Sequence, residues 1–174
     1  MVEMVPVGST VLDLGCGTGD LLRRLAPKIA QGVGIDVSQP LIAYARAHAV
    51  VHSHITFEAR EASPFDRYTE PFDVATATLL FHVLPWATAV QLVQAMADWG
   101  RELILAGFVP PKNSKERRLL WMDQRLSGHY QNYVAYQRQG GLAGLRAASG
   151  LEVIGAYQTF DSTIQIWQMQ GREK

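Results

Sequence analysis

The sequence predicts an α/β fold in which a mostly parallel sheet carries helices on both faces and closes with an antiparallel hairpin. Three observations predict it. Short apolar runs alternate with helix-length segments between residues 11 and 106, and the first run leads into the glycine cluster Gly15, Gly17 and Gly19. Two β-rich runs then end the chain, joined by a turn around Asp161 and Ser162. Alternation of strand and helix implies crossover connections and therefore parallel strands. Runs separated by a turn alone pair antiparallel.

The elements follow in order. Residues 11–14 form an apolar strand, and Asp20 opens a helix with Leu21, Leu22 and Leu25 on one face. Residues 32–36 read as a second buried strand, and residues 39–49, with Leu41, Ile42, Tyr44 and Ala45, as its helix. A third strand at 55–59, a fourth at 74–78, a helix at 87–99 and a fifth strand at 103–106 continue the alternation. Residues 140–150 hold a short helix between glycines, and the β-rich runs 151–159 and 163–169 form the hairpin. The run from 74 to 97 lacks Asp, Glu, Lys and Arg, a length that could span a bilayer. Thr76, Thr78, His82, Gln91 and Gln94 interrupt it, and Pro85 divides a strand-like half from a helix-like half, so it reads as core.

The chain has 174 residues, 48% of them hydrophobic and 18% charged, which suits a single domain with an ample core. Sixteen Lys and Arg balance sixteen Asp and Glu, so no basic surplus points to nucleic acid. No membrane partner is expected. Cys16 is the lone cysteine and the chain opens with no secretory pattern, from which a cytoplasmic location is expected.

The chemistry concentrates in residues 11–20, Val-Leu-Asp-Leu-Gly-Cys-Gly-Thr-Gly-Asp. Glycines at 15, 17 and 19 remove side chains where the backbone turns sharply and a ligand approaches, while the next helix offers free amides. A dinucleotide fingerprint would place its third glycine one residue later, so the spacing favours a ligand without a pyrophosphate. Asp36 ends the second strand, where a carboxylate can accept both hydroxyls of a ribose.

Four motifs in order give the chain a resemblance to the class I S-adenosylmethionine-dependent methyltransferases over nearly its whole length. VLDLGCGTGDLL resembles the family's first motif, GIDVS its ribose motif, FEAREASPF its adenine segment and PFDVATATLLFHVLP its fourth-strand motif. The resemblance implies a Rossmann-like seven-stranded sheet and S-adenosylmethionine as cofactor. It also implies roles by position. Asp13, Gly15, Cys16, Gly17 and Gly19 would surround the methionine part, Asp36 would hold the ribose, and Val37 would pack on the adenine. Glu61 and the Ala62 backbone would read the adenine edge, and the Thr78 carbonyl would accept from the cofactor's amino group. Cys16 reads as a small packing residue within the loop.

Three departures shape the rest. Only about ten residues precede the first strand, so the usual N-terminal cover is missing, which leaves an open donor site or a truncated form. One histidine, His82, stands after the fourth strand where the family often has a pair, and no N-P-P-Y-like sequence or magnesium-binding acidic cluster occurs. No metal is expected. Methyl transfer is in-line displacement that needs alignment more than a covalent nucleophile. A hydroxyl acceptor would benefit from a base, for which His82, His129 and Tyr130 are the candidates. The expected acceptor is a small, partly aromatic molecule and the expected assembly a monomer or homodimer. RNA or protein methylation, and a non-catalytic S-adenosylmethionine-binding protein, stand as alternatives.

The domain therefore divides into a cofactor half at 1–107, a candidate acceptor lid at 108–139, and a terminal helix and hairpin at 140–174. Trp121, Tyr130, Tyr133 and Tyr136 make the middle segment the expected cover of the site. Within it Leu119, Met122 and Leu126 recur at helical spacing and read as packing, and Lys112, Lys115, Arg117 and Arg118 as a solvated helix start.

Overall fold

The computed structural model describes residues 1–64, 66 and 68–172. Phe65, which ends the expected adenine segment, and Glu173 and Lys174 of the terminal part lie outside the described residues. The parallel strands are β1 (Thr10–Leu14), β2 (Gln31–Asp36), β3 (Ile55–Ala59), β4 (Phe72–Thr78) and β5 (Gly100–Phe108). Helices α1 (Asp20–Leu25), α2 (Gln39–His48) and α3 (Trp86–Trp99) connect them. Helices α4 (Ser114–Leu126), α5 (Tyr130–Arg138) and α6 (Gly141–Ser149) precede the hairpin strands β6 (Val153–Gln158) and β7 (Ile164–Gln170).

One seven-stranded sheet runs in the order β3-β2-β1-β4-β5-β7-β6. The first five strands pair parallel, and β7 inserts antiparallel between β5 and β6. The chain winds outward from β1 to one edge and then from β4 to the other. Strand order reverses between β1 and β4, and a doubly wound sheet opens its ligand crevice beyond the carboxyl ends of such a pair.

Alternation along the strands distributes the core to both faces. Leu12 and Leu14 of β1 join Leu103 and Leu105 of β5 under α3, α5 and α6, while Val11 and Ile104 face the other way with α1 and α2. The charge-free run resolves as expected into buried β4 and the inward side of α3, where Ala89, Leu92, Val93, Met96 and Trp99 are buried. Among the described residues, no helix is long and apolar enough to cross a membrane.

Two expectations fail in the middle segment. Residues 114–138 are two packed helices, and α5 puts Tyr133 and Tyr136 into the core, 7% and 1% exposed. Tyr136 donates its hydroxyl to the Phe108 carbonyl at 3.1 Å, and Asn132 donates to the Val83 carbonyl at 2.7 Å, tying α5 down. The stripe read as packing, Leu119, Met122 and Leu126, is instead 56%, 43% and 86% exposed, because α4 turns Leu120 and Gln124 inward. Helix α4 begins where the Asn113 side chain accepts from the Glu116 amide and Glu116 accepts from the Lys112 amide, a reciprocal cap.

Candidate functional site

Each glycine of the β1–α1 loop has a positive φ, +65° at Gly15, +53° at Gly17 and +73° at Gly19, a region costly for residues with a Cβ. Their surroundings differ. A Cβ on Gly19 would stand 2.6 Å from the Phe57 ring, and one on Gly15 would stand 2.9 Å from Leu80. One on Gly17 would meet no atom within 4 Å, so this position faces open space. The loop is anchored from β2, whose Ile35 carbonyl accepts from the Gly15 and Cys16 amides at 2.8 and 3.1 Å.

Asp36 sits at the end of β2 with one carboxylate oxygen accepting from Gly17 N at 2.9 Å and the other from Ser38 N at 2.8 Å. It thus holds the loop itself. A carboxylate has about four acceptor positions, so lone pairs remain for hydroxyls of a ligand.

Two cavities flank the loop and share Gly15. The larger, about 1180 Å³, is lined by Asp13, Gly15, Cys16, Gly17, Asp20 and Thr78 from the sheet ends and α1. Its outer wall is Met1–Met4 from one side and Tyr157, Phe160, Ile166 and Gln168 of the hairpin from the other. The smaller, about 120 Å³, collects Asp36, Val37, Glu61 and Ala62 with Arg60, Leu80, Val83, Leu84 and Leu92. Nine of the ten expected cofactor residues therefore line these cavities. Gly19 is the exception, a packing position under Phe57.

Asp13 gives the larger cavity its unusual electrostatics. It is 2% exposed and accepts the Thr76 hydroxyl at 2.7 Å. Burial is the largest cause that pushes its pKa from 3.8 up to about 7, with repulsion from Asp36 adding to it. Burial also drives the Cys16 thiol up, so it stays protonated and inert in the loop. Just beyond Thr78, Leu79 has φ +53°, the one positive φ outside glycine among the described residues. Its amide donates to the Ala106 carbonyl at 2.8 Å, so pairing with β5 holds the strained turn at the crevice.

The base candidates are not brought together there. His82 is 8% exposed, its ring edge-on to Phe108 at 4.8 Å and Tyr133 at 6.4 Å, and burial lowers its pKa to about 4. His129 and Tyr130 sit where α5 begins, Tyr130 edge-on to Trp121 at 6.5 Å. None of the three lines either cavity. The anticipated cover likewise comes from elsewhere. Helices α4 and α5 contribute no residue to the larger cavity, whose cover is the N-terminal turn and the hairpin.

Sequence reading missed Arg60. Its guanidinium donates to Glu58 and Asp66, both at 2.6 Å, to the Glu61 carbonyl at 3.1 Å and to Tyr68 at 3.3 Å, shaping the loop after β3. The signal was an arginine among Glu58, Glu61 and Asp66 directly after a strand.

Residues 11–102, more than half of the chain, match the family model described as a methyltransferase domain. The chain belongs to the class I S-adenosylmethionine-dependent methyltransferase family. A ubiquinone biosynthesis O-methyltransferase of Pseudomonas paraeruginosa is 31% identical over 103 residues, covering 57% of this chain and 44% of that protein. The chain spans less than half the length of the first curated relatives it matches. Among solved structures, the N-methyltransferase NodS of Bradyrhizobium japonicum with S-adenosyl-L-homocysteine aligns at TM-score 0.71 and 18% identity, over 99% of this chain and 82% of that one. The magnesium protoporphyrin IX methyltransferase of Synechocystis with bound SAH aligns at TM-score 0.70 and 20% identity, over 95% and 75%. These two likenesses establish the fold of this methyltransferase domain.

Proposed function

We propose that the domain binds S-adenosylmethionine across the β1–α1 loop and transfers its methyl group to a small acceptor in the adjoining groove. The observation that carries this reading is the open space at Gly17, between the buried carboxyl of Asp13 and the loop-holding carboxylate of Asp36. The residues fit the cofactor's chemistry. Asp13 is costly as an anion until a positive charge lies beside it, and a sulfonium and an ammonium supply one. Asp36 keeps acceptor capacity for ribose hydroxyls, and Val37, Leu80 and Leu84 offer apolar walls to a base on the smaller side.

When bound, S-adenosylmethionine supplies an electrophilic methyl group on sulfur. The protein's part is alignment and exclusion of water. Gly17 lets the backbone approach, Asp36 fixes the loop amide, and Tyr157 and Phe160 present aromatic faces at the mouth. The groove's volume of about 1180 Å³ leaves room for a small acceptor beside the cofactor. Glu3, Asp13 and Asp20 line it, Asp20 pairing with Arg24 at 3.5 Å, and these acids suit neutral or cationic acceptors better than a polyanion. The buried His82 is read as a packing residue.

Calorimetric titration with S-adenosylhomocysteine and with NAD tests the cofactor. Binding of the first and not the second is expected. NAD binding in its place would sink the reading. A screen of small aromatic and amine acceptors for S-adenosylhomocysteine release then addresses the transfer.

A further inference from the structure

Helix α4 carries an apolar face that the core does not use. At about 100° per residue, Leu119, Met122 and Leu126 fall within about 60° of one another, opposite the buried Leu120 and Gln124. At the same spacing Lys115 falls within this face and Arg118 and Arg125 fall beside it, whereas Arg117 falls opposite. Residues 112–126 hold five of the chain's sixteen Lys and Arg (Lys112, Lys115, Arg117, Arg118 and Arg125) against two acids, in a chain of zero net charge. All five are exposed. Of the acids, Glu116 is engaged by the Ser162 hydroxyl at 2.8 Å and the Lys112 amide at 2.7 Å. The Arg125 guanidinium lies over Trp121 at 5.0 Å and Tyr130 at 5.2 Å, and Trp121 is 44% exposed.

The Ser162 contact ties α4 to the β6–β7 turn. Two residues earlier in that turn stands Phe160, fully exposed and lining the mouth of the large groove. The helix that carries the apolar face and its flanking cations is thus tied at its first turn to the turn that exposes Phe160.

We propose that α4 and the Phe160 turn dock the protein on the surface of an anionic lipid bilayer, with α4 lying in the headgroup plane. Charge complementarity selects the occupant. Leucine and methionine side chains enter the acyl boundary, and Lys115, Arg118 and Arg125 reach outward to lipid phosphates while their stems cover apolar surface. This is attachment at the surface, without a span. The expectation of no membrane partner came from reading the charge-free run 74–97 as core, and it left the α4 stripe unweighed. Docking in this orientation turns the groove mouth toward the bilayer and suits an amphiphilic acceptor. That consequence rests on the proposed methyl transfer, whereas the docking does not.

The test is flotation of the full chain with vesicles of phosphatidylcholine alone and with about one quarter phosphatidylglycerol. Binding is expected to the mixed vesicles only, and to weaken at high salt. The double variant Met122→Glu, Leu126→Glu should bind at least about tenfold less, with an unchanged urea midpoint and unchanged affinity for S-adenosylhomocysteine, since neither residue touches the core or the groove. Failure of the wild-type protein to bind S-adenosylhomocysteine would count against the functional reading, whereas the docking stands or falls on flotation. Wild-type protein that does not float with the mixed vesicles overturns the docking. A dimer dissolved by the double variant, without flotation, assigns the stripe to a second copy. Retention on polyglutamate without flotation assigns it to an acidic protein, and either result overturns the proposal.

Discussion

Asp13, taken by itself, should make the ligand-free protein lose stability as the pH rises and should tighten its hold on a cationic ligand. This carboxyl is buried beside the groove, and its pKa is pushed from 3.8 up to about 7, chiefly by burial. In the unfolded chain it ionises at its ordinary value, so between those limits the folded state holds one proton more than the unfolded state. Stability therefore falls as pH rises through that window, by about 1.4 kcal/mol per pH unit and on the order of 4 kcal/mol across it. His82 acts in the opposite sense. Its pKa is lowered from 6.5 to about 4, so over that interval the folded state holds one proton fewer and stability rises with pH. The two slopes offset in wild-type protein, and Asp13→Asn removes one while keeping an acceptor for Thr76. Urea denaturation of both proteins from about pH 5 to about pH 8 should show the variant gaining stability relative to wild type as pH rises. Calorimetric binding of S-adenosylmethionine near pH 6, in buffers of different ionisation enthalpy, should release about one proton from wild type and none from the variant. A stability difference that does not change with pH, or equal proton release from both proteins, would refute the assignment.

Other predictions separate binding from folding. Gly19→Ala should lose about 2 to 4 kcal/mol of stability in urea, since its methyl would press on Phe57 in a left-handed backbone. Gly17→Ala should lose only the backbone share, about 1 to 2 kcal/mol, yet bind S-adenosylhomocysteine at least about tenfold more weakly in calorimetry. Asp36→Ala should weaken that binding by about 1.5 to 3 kcal/mol in a folded protein; unchanged affinity would remove Asp36 from the site. Tyr136→Phe should cost about 1 kcal/mol in urea, because the Phe108 carbonyl loses its buried donor.

The β1 to β5 framework was legible because each link has a strong local signal. Five apolar runs with helices in the first, second and fourth connections allow few topologies, and the glycine loop marks the end at which ligands bind. Asp36 was placed by its position at the end of a strand, and Val37, Glu61 and Ala62 by the family resemblance, and the four line one cavity. What escaped were contacts between distant segments. No local pattern shows that Met1–Met4 and Tyr157 share a wall, or that Arg60 reaches Asp66 and Tyr68 at once. The glycines escaped in a subtler way. Gly17 and Gly19 look alike in spacing and share a positive φ, and only Phe57, thirty-eight residues beyond Gly19, makes one a packing site and leaves the other open.

Helix α4 shows the remaining limit in its plainest physical form. Periodicity tells which residues share a face, and Leu119, Met122 and Leu126 do share one. It does not tell which face turns inward when a helix has two apolar options. Here the alternative is Leu120 with Gln124, and the choice is made by what lies beneath. The Asn113 and Glu116 cap, with Glu116 also engaging Ser162, orients the first turn, and the Arg125, Trp121 and Tyr130 cluster orients the last. Both restraints turn the larger apolar stripe toward solvent. Burying three large side chains would stabilise the fold by several kcal/mol, about 1.5 to 3 for each. A fold that forgoes this while keeping Lys115, Arg118 and Arg125 within or beside the same face has that face available for a partner, which is why the docking test carries information that folding measurements alone do not.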